Sequence, residues 1–281
     1  MKTMNHFIIE PAALHEMDFL LTLAKAEAWN PGLSDALPFH STDPNGFFIG
    51  KLDGKMIGCI SAVAYNEDYG FMGLYIMLPE YRGLGYGLKL WQHAVNYLGK
   101  RNIGLDGVVA QQNNYRKSGF ELYYNNIRFS GKGKGKFSEE LQNINDIPFQ
   151  TLIDFDTPIF GIDRTRFLQP WIKMPNAFGL AKSINGKLTG YGLIRQCQNG
   201  YKIGPLFAQN SLIAEEIFLS LMAKSDRAEI FLDVVQKNDE AVKLAQKYHF
   251  QKVFETARMY KGVPPKQQLS QIFGITTFEL G

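Results

Sequence analysis

The stretch richest in chemical possibility is Tyr75-Ile76-Met77-Leu78-Pro79-Glu80-Tyr81-Arg82-Gly83-Leu84-Gly85-Tyr86-Gly87. It opens as an apolar, strand-like run, passes through closely spaced glycines, and leads into apolar residues at helical spacing (Leu88, Trp91, Val95, Leu98). A glycine turn at a helix N-terminus presents main-chain N–H groups that have no intrahelical partner, at the positive end of the dipole. Glycine lets that main chain come close to a ligand, and Arg82 adds a fixed positive charge. Such a turn is a seat for a pyrophosphate. A P-loop would end in Gly-Lys-Ser/Thr, which is absent. Gly83, Gly85 and Gly87 give GxGxG, not the GxGxxG of a dinucleotide fold, and three β segments precede the turn. Asp106 stands roughly where a ribose-binding acid would, so on spacing alone a nicotinamide site stays open, as does a turn with no ligand.

Other reactive groups are sparse. The five histidines (His6, His15, His40, His93, His249) show neither metal-ligand spacing nor a clear partnership with a nucleophile. Cys59 and Cys197 cannot build a disulfide framework and lie too far apart for a zinc cluster, so no metal and a reducing, cytoplasmic setting are expected. A chain of 281 residues, 45% hydrophobic and 20% charged, supports a sizeable core and suits two domains of ordinary size. A net charge of +3 argues against a large nucleic-acid footprint. The longest apolar run, Phe71 to Leu78, is far short of the roughly 20 residues that cross a bilayer, and Met1 to Asn5 has no apolar leader. Neither nucleic acid nor a membrane is an expected partner.

The elements that would position the turn follow from pattern. Strands are expected at His6–Glu10, Phe47–Lys51, Lys55–Ala64, Tyr69–Leu78, Ile103–Ala110 and Phe120–Phe129, with Asp53-Gly54 as a hairpin turn. Helices are expected over Ala12–Trp29 and Gly87–Gly99, with a short one before Phe120. Gly131-Lys-Gly-Lys-Gly-Lys136 has no means of packing and reads as a solvated tether, or else as an anion-attracting strip. Beyond it the order recurs: helices at Phe149–Asp154 and Arg164–Ile172, strands flanking Asn185-Gly186, another strand reaching Phe207, a helix at Leu212–Ala223, a strand at Glu229–Val235, a helix at Glu240–Tyr248 and a last strand.

The halves look like copies of one unit. Asp53-Gly54-Lys55 matches Asn185-Gly186-Lys187 at an offset of 132, Met72-Gly73 matches Ile203-Gly204 at 131, and Phe120 matches Phe250 at 130. At these offsets Arg82, Gly85 and Gly87 become Ile213, Glu216 and Phe218, and Tyr115 becomes Ala245. The second copy is therefore expected to lack the phosphate seat, leaving it to shape an acceptor site or a homodimer. Asp233, Asn238 and Arg258 are its polar candidates for an acceptor, with structural roles expected first.

Arg82-Gly-Leu-Gly85-Tyr-Gly87 resembles the Arg/Gln-x-x-Gly-x-Gly/Ala signature of the GNAT superfamily of N-acetyltransferases, and Tyr115-Arg-Lys-Ser-Gly119-Phe120 is similar to that family's Tyr-x-x-x-Gly-Phe segment. The resemblance covers roughly residues 6–130, and the whole chain resembles a bacterial, YitH-like subgroup with a divergent second GNAT-like domain. It implies an α/β fold of two tandem units, each a mostly antiparallel central sheet flanked by helices: a coenzyme-binding domain at 1–130, a linker at 131–147 and a second domain at 148–281. The main chain of Arg82, Gly83, Leu84, Gly85, Tyr86 and Gly87 would hold the coenzyme A pyrophosphate, with Asn113 nearby. Tyr75, Ile76 and Met77 would bind the pantetheine arm and polarise the thioester carbonyl.

By the same resemblance Tyr115 would donate a proton to the departing thiolate, and Asp106 or Glu67 would serve as general base, although Asp106 lies some three residues too close to Tyr115. The expected activity is acetyl transfer from acetyl-CoA to a small-molecule or peptide amine by direct attack in a ternary complex. A non-catalytic coenzyme A sensor is the alternative.

Overall fold

The computed structural model describes residues 6–281; Met1–Asn5, read above as carrying no leader, lie outside the described residues. The first half runs β1 (Phe7–Pro11), α1 (Met17–Ala26), α2 (Ala36–Thr42), β2 (Phe47–Leu52), β3 (Lys55–Ala64), β4 (Tyr69–Met77), α3 (Tyr86–Leu98), β5 (Asn102–Val108), α4 (Gln112–Lys117) and β6 (Glu121–Gly131). The second runs β7 (Gln142–Asn143), α5 (Phe149–Phe160), α6 (Thr165–Trp171), β8 (Ala177–Ile184), β9 (Lys187–Gln196), β10 (Tyr201–Ala208), α7 (Ser211–Met222), β11 (Ile230–Val235), α8 (Asp239–Lys247), β12 (Gln251–Lys261) and β13 (Ile272–Gly274). The first helix is shorter than its apolar pattern promises. It follows a turn in which Glu16 accepts from the Ala13 N–H at 3.0 Å, and it stops before Ala28 and Asn30, both at positive φ.

All strands join one sheet in the order β1-β2-β3-β4-β5-β12-β6-β11-β10-β9-β8-β7, with β13 against β10. The parallel pairs are β4–β5 and β10–β11; the others are antiparallel. β12 of the second half lies between β5 and β6 of the first, and β6 lies between β12 and β11. Each half thus completes the other's sheet. One apolar cluster runs from Met17 and Leu20 of α1 through Trp171 of α6 to Phe278 and Leu280, with Phe39 of α2 stacked on Trp171 at 6.3 Å. Strand pairing therefore runs across the expected limits at 130 and 148.

The Gly/Lys stretch corrects the expectation of a free tether. Gly131 still belongs to β6, and a Cβ on Gly135 would sit 2.1 Å from the Ala223 nitrogen. Lys136 N donates to Leu219 O at 3.1 Å, and Ser138 N donates to Ser220 Oγ at 3.1 Å. The glycines let the chain lie flat against α7 while Lys132, Lys134 and Lys136 point outward.

Candidate functional site

The site begins where two strands part. β4 and β5 pair from Tyr69↔Asn102 to Met72↔Leu105 and no further. β4 stays registered with β3 as far as Met77↔Gly58, but carries an extra residue between Gly73 and Ile76. Leu74, inside that bulge, has φ +46°. A bulge bends and twists its strand, and here it turns the end of β4 away from β5. A cleft of ≈ 780 Å³ opens in the gap, lined by Leu74–Met77 on one wall and by Leu105–Val108 on the other.

The glycine turn sits at its mouth. Gly83 and Gly85 have φ +74° and +87°, and a Cβ on either would meet nothing within 4 Å, so the bend is open. Gly85 begins α3 without a side-chain cap, leaving the first-turn N–H groups free of one. Gly87 has a different reason to be glycine: its Cβ would lie 2.8 Å from the Tyr75 hydroxyl, so it sets helix against strand. Arg82 is more engaged than the sequence implies. Its Nε donates to Met77 O at 2.9 Å and its Nη2 to Glu27, clamping the turn onto β4 and onto the end of α1. Leu84 is exposed and Tyr86 packs on Phe7 at 4.8 Å, so the side chains of both point away from the cleft and only their main chain is available to it.

Tyr115 reaches the same cleft from α4, its ring over Gly107, where a Cβ would approach to 2.3 Å, and against Trp91 at 5.6 Å. Burial, and then the neighbouring Tyr75 phenol, push its pKa up to about 12. Asn114, not Asn113, faces the cleft; Asn113 is exposed and accepts from Arg116 at 3.1 Å.

Neither expected base is free to act. The Asp106 side chain is fully enclosed and accepts from Arg258 at 2.9 and 2.6 Å and from Asn126 at 2.7 Å. Burial raises its pKa against the pull of Arg258. It ties β5 to β12 and β6, with both oxygens engaged by Arg258 and Asn126. Glu67 is exposed in the turn before β4, at the other end of that strand from Tyr75, and does not line the cleft.

The cleft has walls that no motif announced: Glu27 and Trp29 after α1, Phe254 and Thr256 of β12, and Phe278 and Glu279 beyond β13. The segment after β13 crosses the sheet in a buried path. Ile275 N donates to Asp233 O at 2.7 Å, Tyr65 donates to Leu280 O at 2.7 Å, and Glu279 O fits against Gly73. Apolar side chains without periodicity gave no sign of this route.

The second half repeats the parting and closes it. β10 and β11 pair from Tyr201↔Ile230 to Ile203↔Leu232, and β10 carries an extra residue against β9 between Ile203 and Leu206. Met72 and Ile203, the residues matched at offset 131, are the last residues of their strands to pair with the parallel neighbour. Here β13 fills the vacant side, with Leu206↔Gly274 and Phe207↔Ile272. Only residues 209–210 join β10 to α7, against 78–85 in the first half. The glycine turn is therefore deleted, not substituted: Ile213, Glu216 and Phe218 lie within α7, two of them buried and Glu216 paired with Lys182 at 3.0 Å. Asn210 caps that helix by accepting from Ile213 N at 3.0 Å. Tyr115 and Ala245 do correspond: each carbonyl accepts from the N–H five residues on, at 3.2 Å from Phe120 and 3.0 Å from Phe250.

A strand bulge beside a parallel pair that parts, a glycine turn at a helix start, and the same plan twice over define an acyltransferase of the GNAT class, and the chain belongs to that family. Residues 14–120 match the model of the Acetyltransferase (GNAT) family, and residues 152–274 that of the Acetyltransferase (GNAT) domain. The holothin acyltransferase of a Pseudoalteromonas strain is 30% identical over 97% of this chain and 94% of its own. YitH of Bacillus subtilis, an uncharacterized N-acetyltransferase, is 28% identical over 63% of this chain and 65% of its own. A solved structure from Pyrococcus horikoshii superposes with a TM-score of 0.84 at 23% identity, covering 98% of this chain and 96% of that one. A tandem GNAT protein from the clavulanic acid biosynthesis pathway gives 0.63 at 11% identity, over 91% and 98%. Among the described residues no group of three or more His, Cys, Asp or Glu is gathered to hold a metal, and no helix is long and apolar enough to cross a membrane.

Proposed function

We propose that the first half transfers an acyl group, acetyl in the simplest case, from acyl-coenzyme A to an amine held in the same cleft. The observation that carries this is the parting of β4 from β5 beyond Met72, directly beside the uncapped start of α3. Main-chain N–H groups of Gly83–Gly87 suit a pyrophosphate. The β4 edge at Leu74–Met77, left unpaired on its β5 side, offers donors for an extended amide-bearing arm and for a carbonyl that gains negative charge. Without an evident activated nucleophile in the cleft, the amine attacks directly.

Tyr115 has a narrower role than outright acid. A phenol near 12 is the weaker acid beside a thiol of ordinary pKa, about 8.5, so handing over its proton is uphill. The same shift keeps it protonated, and its O–H stabilises the departing sulfur by a hydrogen bond.

The test is thiol release from acetyl-coenzyme A with a panel of amines. Holothin, after which the Pseudoalteromonas relative is named, is the first acceptor to try. Saturable release, slowed about 10- to 100-fold in Tyr115→Phe while coenzyme binding persists, is the expected result. Coenzyme binding with no release on any acceptor contradicts it.

A further inference from the structure

Direct attack needs a neutral amine, and an alkyl ammonium with a pKa of about 10 is mostly protonated at neutral pH. Asp106 and Glu67 cannot take that proton, for the reasons above. The cleft wall contains one more carboxylate that is buried and unspent. Glu279 is 5% exposed and lines the cleft, and its Oε2 is buried with no hydrogen-bond partner. Thr256 Oγ1, also buried and unpartnered, lines the same cleft. Buried polar atoms are ordinarily satisfied, because leaving one orphaned costs roughly 1–3 kcal/mol. Two of them on the wall of one cleft mark where a polar group of a ligand belongs.

The surroundings hold Glu279 in place. Its main chain is fixed by N–H donation to Thr277 Oγ1 at 3.0 Å and by the close fit of its carbonyl to Gly73, beside the Leu74 bulge. Arg128, Arg195 and Asp106 lie near enough to feel its charge; Arg128 pairs with Asp233 at 2.7 Å and Arg195 with Asp35 at 2.9 Å, while Arg195 Nη1 is buried without a partner. Trp29, Phe254 and Phe278 form apolar walls beside it, with the two phenylalanine rings 6.3 Å apart.

We propose that Glu279, carried into the first half's cleft by the segment after β13, is the group that takes the proton from the acceptor ammonium. This rests on the acyl-transfer reading. The ammonium gives one proton to the carboxylate, and the freed nitrogen lone pair forms the N–C bond at the thioester carbonyl. The C–S bond breaks with its electron pair going to sulfur, beside the Tyr115 O–H. The second nitrogen proton ends on that sulfur as the thiol, and Glu279 returns its proton to solvent.

The test compares two acceptors with similar aromatic bodies: benzylamine, protonated at neutral pH, and phenylhydrazine, largely neutral there. Glu279→Gln is expected to lower kcat/KM for benzylamine about 100-fold, to lower that for phenylhydrazine less than about 10-fold, and to leave calorimetric coenzyme A binding unchanged. Glu279→Asp, which keeps the carboxylate but shortens its reach, is expected to show the same selective loss and serves if the glutamine variant does not fold. An equal loss on both acceptors, or a benzylamine rate within about 3-fold of the unaltered chain, overturns the proposal. No thiol release by the unaltered chain with these amines or with any acceptor of the panel, holothin included, removes the acyl-transfer reading, and the proposal with it.

Discussion

The two halves open the same gap and treat it in opposite ways. In the first, β4 leaves β5 after Met72 and the space stays a cleft faced by an uncapped helix start. In the second, β10 leaves β11 after Ile203, and β13 pairs with the freed edge while Asn210 caps the facing helix. The bulge is thus a property of the duplicated unit; the open cleft is a property of what was left out. Unpaired strand edges and helix starts are costly when buried, so each must meet a ligand or a piece of protein. The same 272–281 segment does both jobs, plugging one gap and walling the other.

The comparison can be broken at several points. The largest expected effect is at Arg128, which joins β6 to Asp233 of β11 and donates to Trp29 O at 2.8 Å. Arg128→Ala leaves a buried carboxylate unpaired and should cost about 3–5 kcal/mol in urea unfolding, in one transition for the whole chain. Two separated transitions would mean that the halves do not share a core.

Next come Gly73→Val and Gly204→Val, matched positions whose added Cβ would lie 2.3 Å from Glu279 O and from Ile275 O. Each should destabilise by about 1–3 kcal/mol, with only the first also abolishing transfer beyond what its stability loss explains. Equal effects on transfer would erase the distinction between the two gaps.

Smaller again is Tyr115→Phe, expected to reduce turnover about 10- to 100-fold with coenzyme affinity unchanged. Because its pKa is raised to about 12, the phenol holds its proton more tightly than free tyrosine. The rate should then show no alkaline fall from this group below about pH 11. A fall near pH 10 in the unaltered chain that is absent in the phenylalanine variant would place Tyr115 in an ordinary environment.

Much of this plan was legible in the sequence. Strand alternation, the two hairpin turns and the drifting offsets gave the repeated unit, and Arg82–Gly87 gave the turn, because these are local patterns. What escaped were consequences of pairing across the chain. Nothing in Glu121–Gly131 or Gln251–Lys261 says that the strands would lie across each other's halves. The bury-and-pair fate of Asp106 depends on Arg258, 152 residues away. Offset arithmetic placed Ala245 opposite Tyr115 correctly, yet misread α7, since a deletion between β10 and α7 shifts the register there. The role of residues 272–281 has no local signature, as it consists of filling a gap made by other strands.

The most direct measurement is calorimetric titration of coenzyme A into the unaltered chain and into Gly85→Asp. Gly85 sits at φ +87° in open space, so the aspartate costs the fold only about 1 kcal/mol while placing a negative charge among the first-turn N–H groups of α3. The expected result is one coenzyme per chain, with affinity falling about 100-fold or more in the variant. Two coenzymes per chain, or binding that the aspartate leaves intact, would contradict the assignment of the site to the first gap alone.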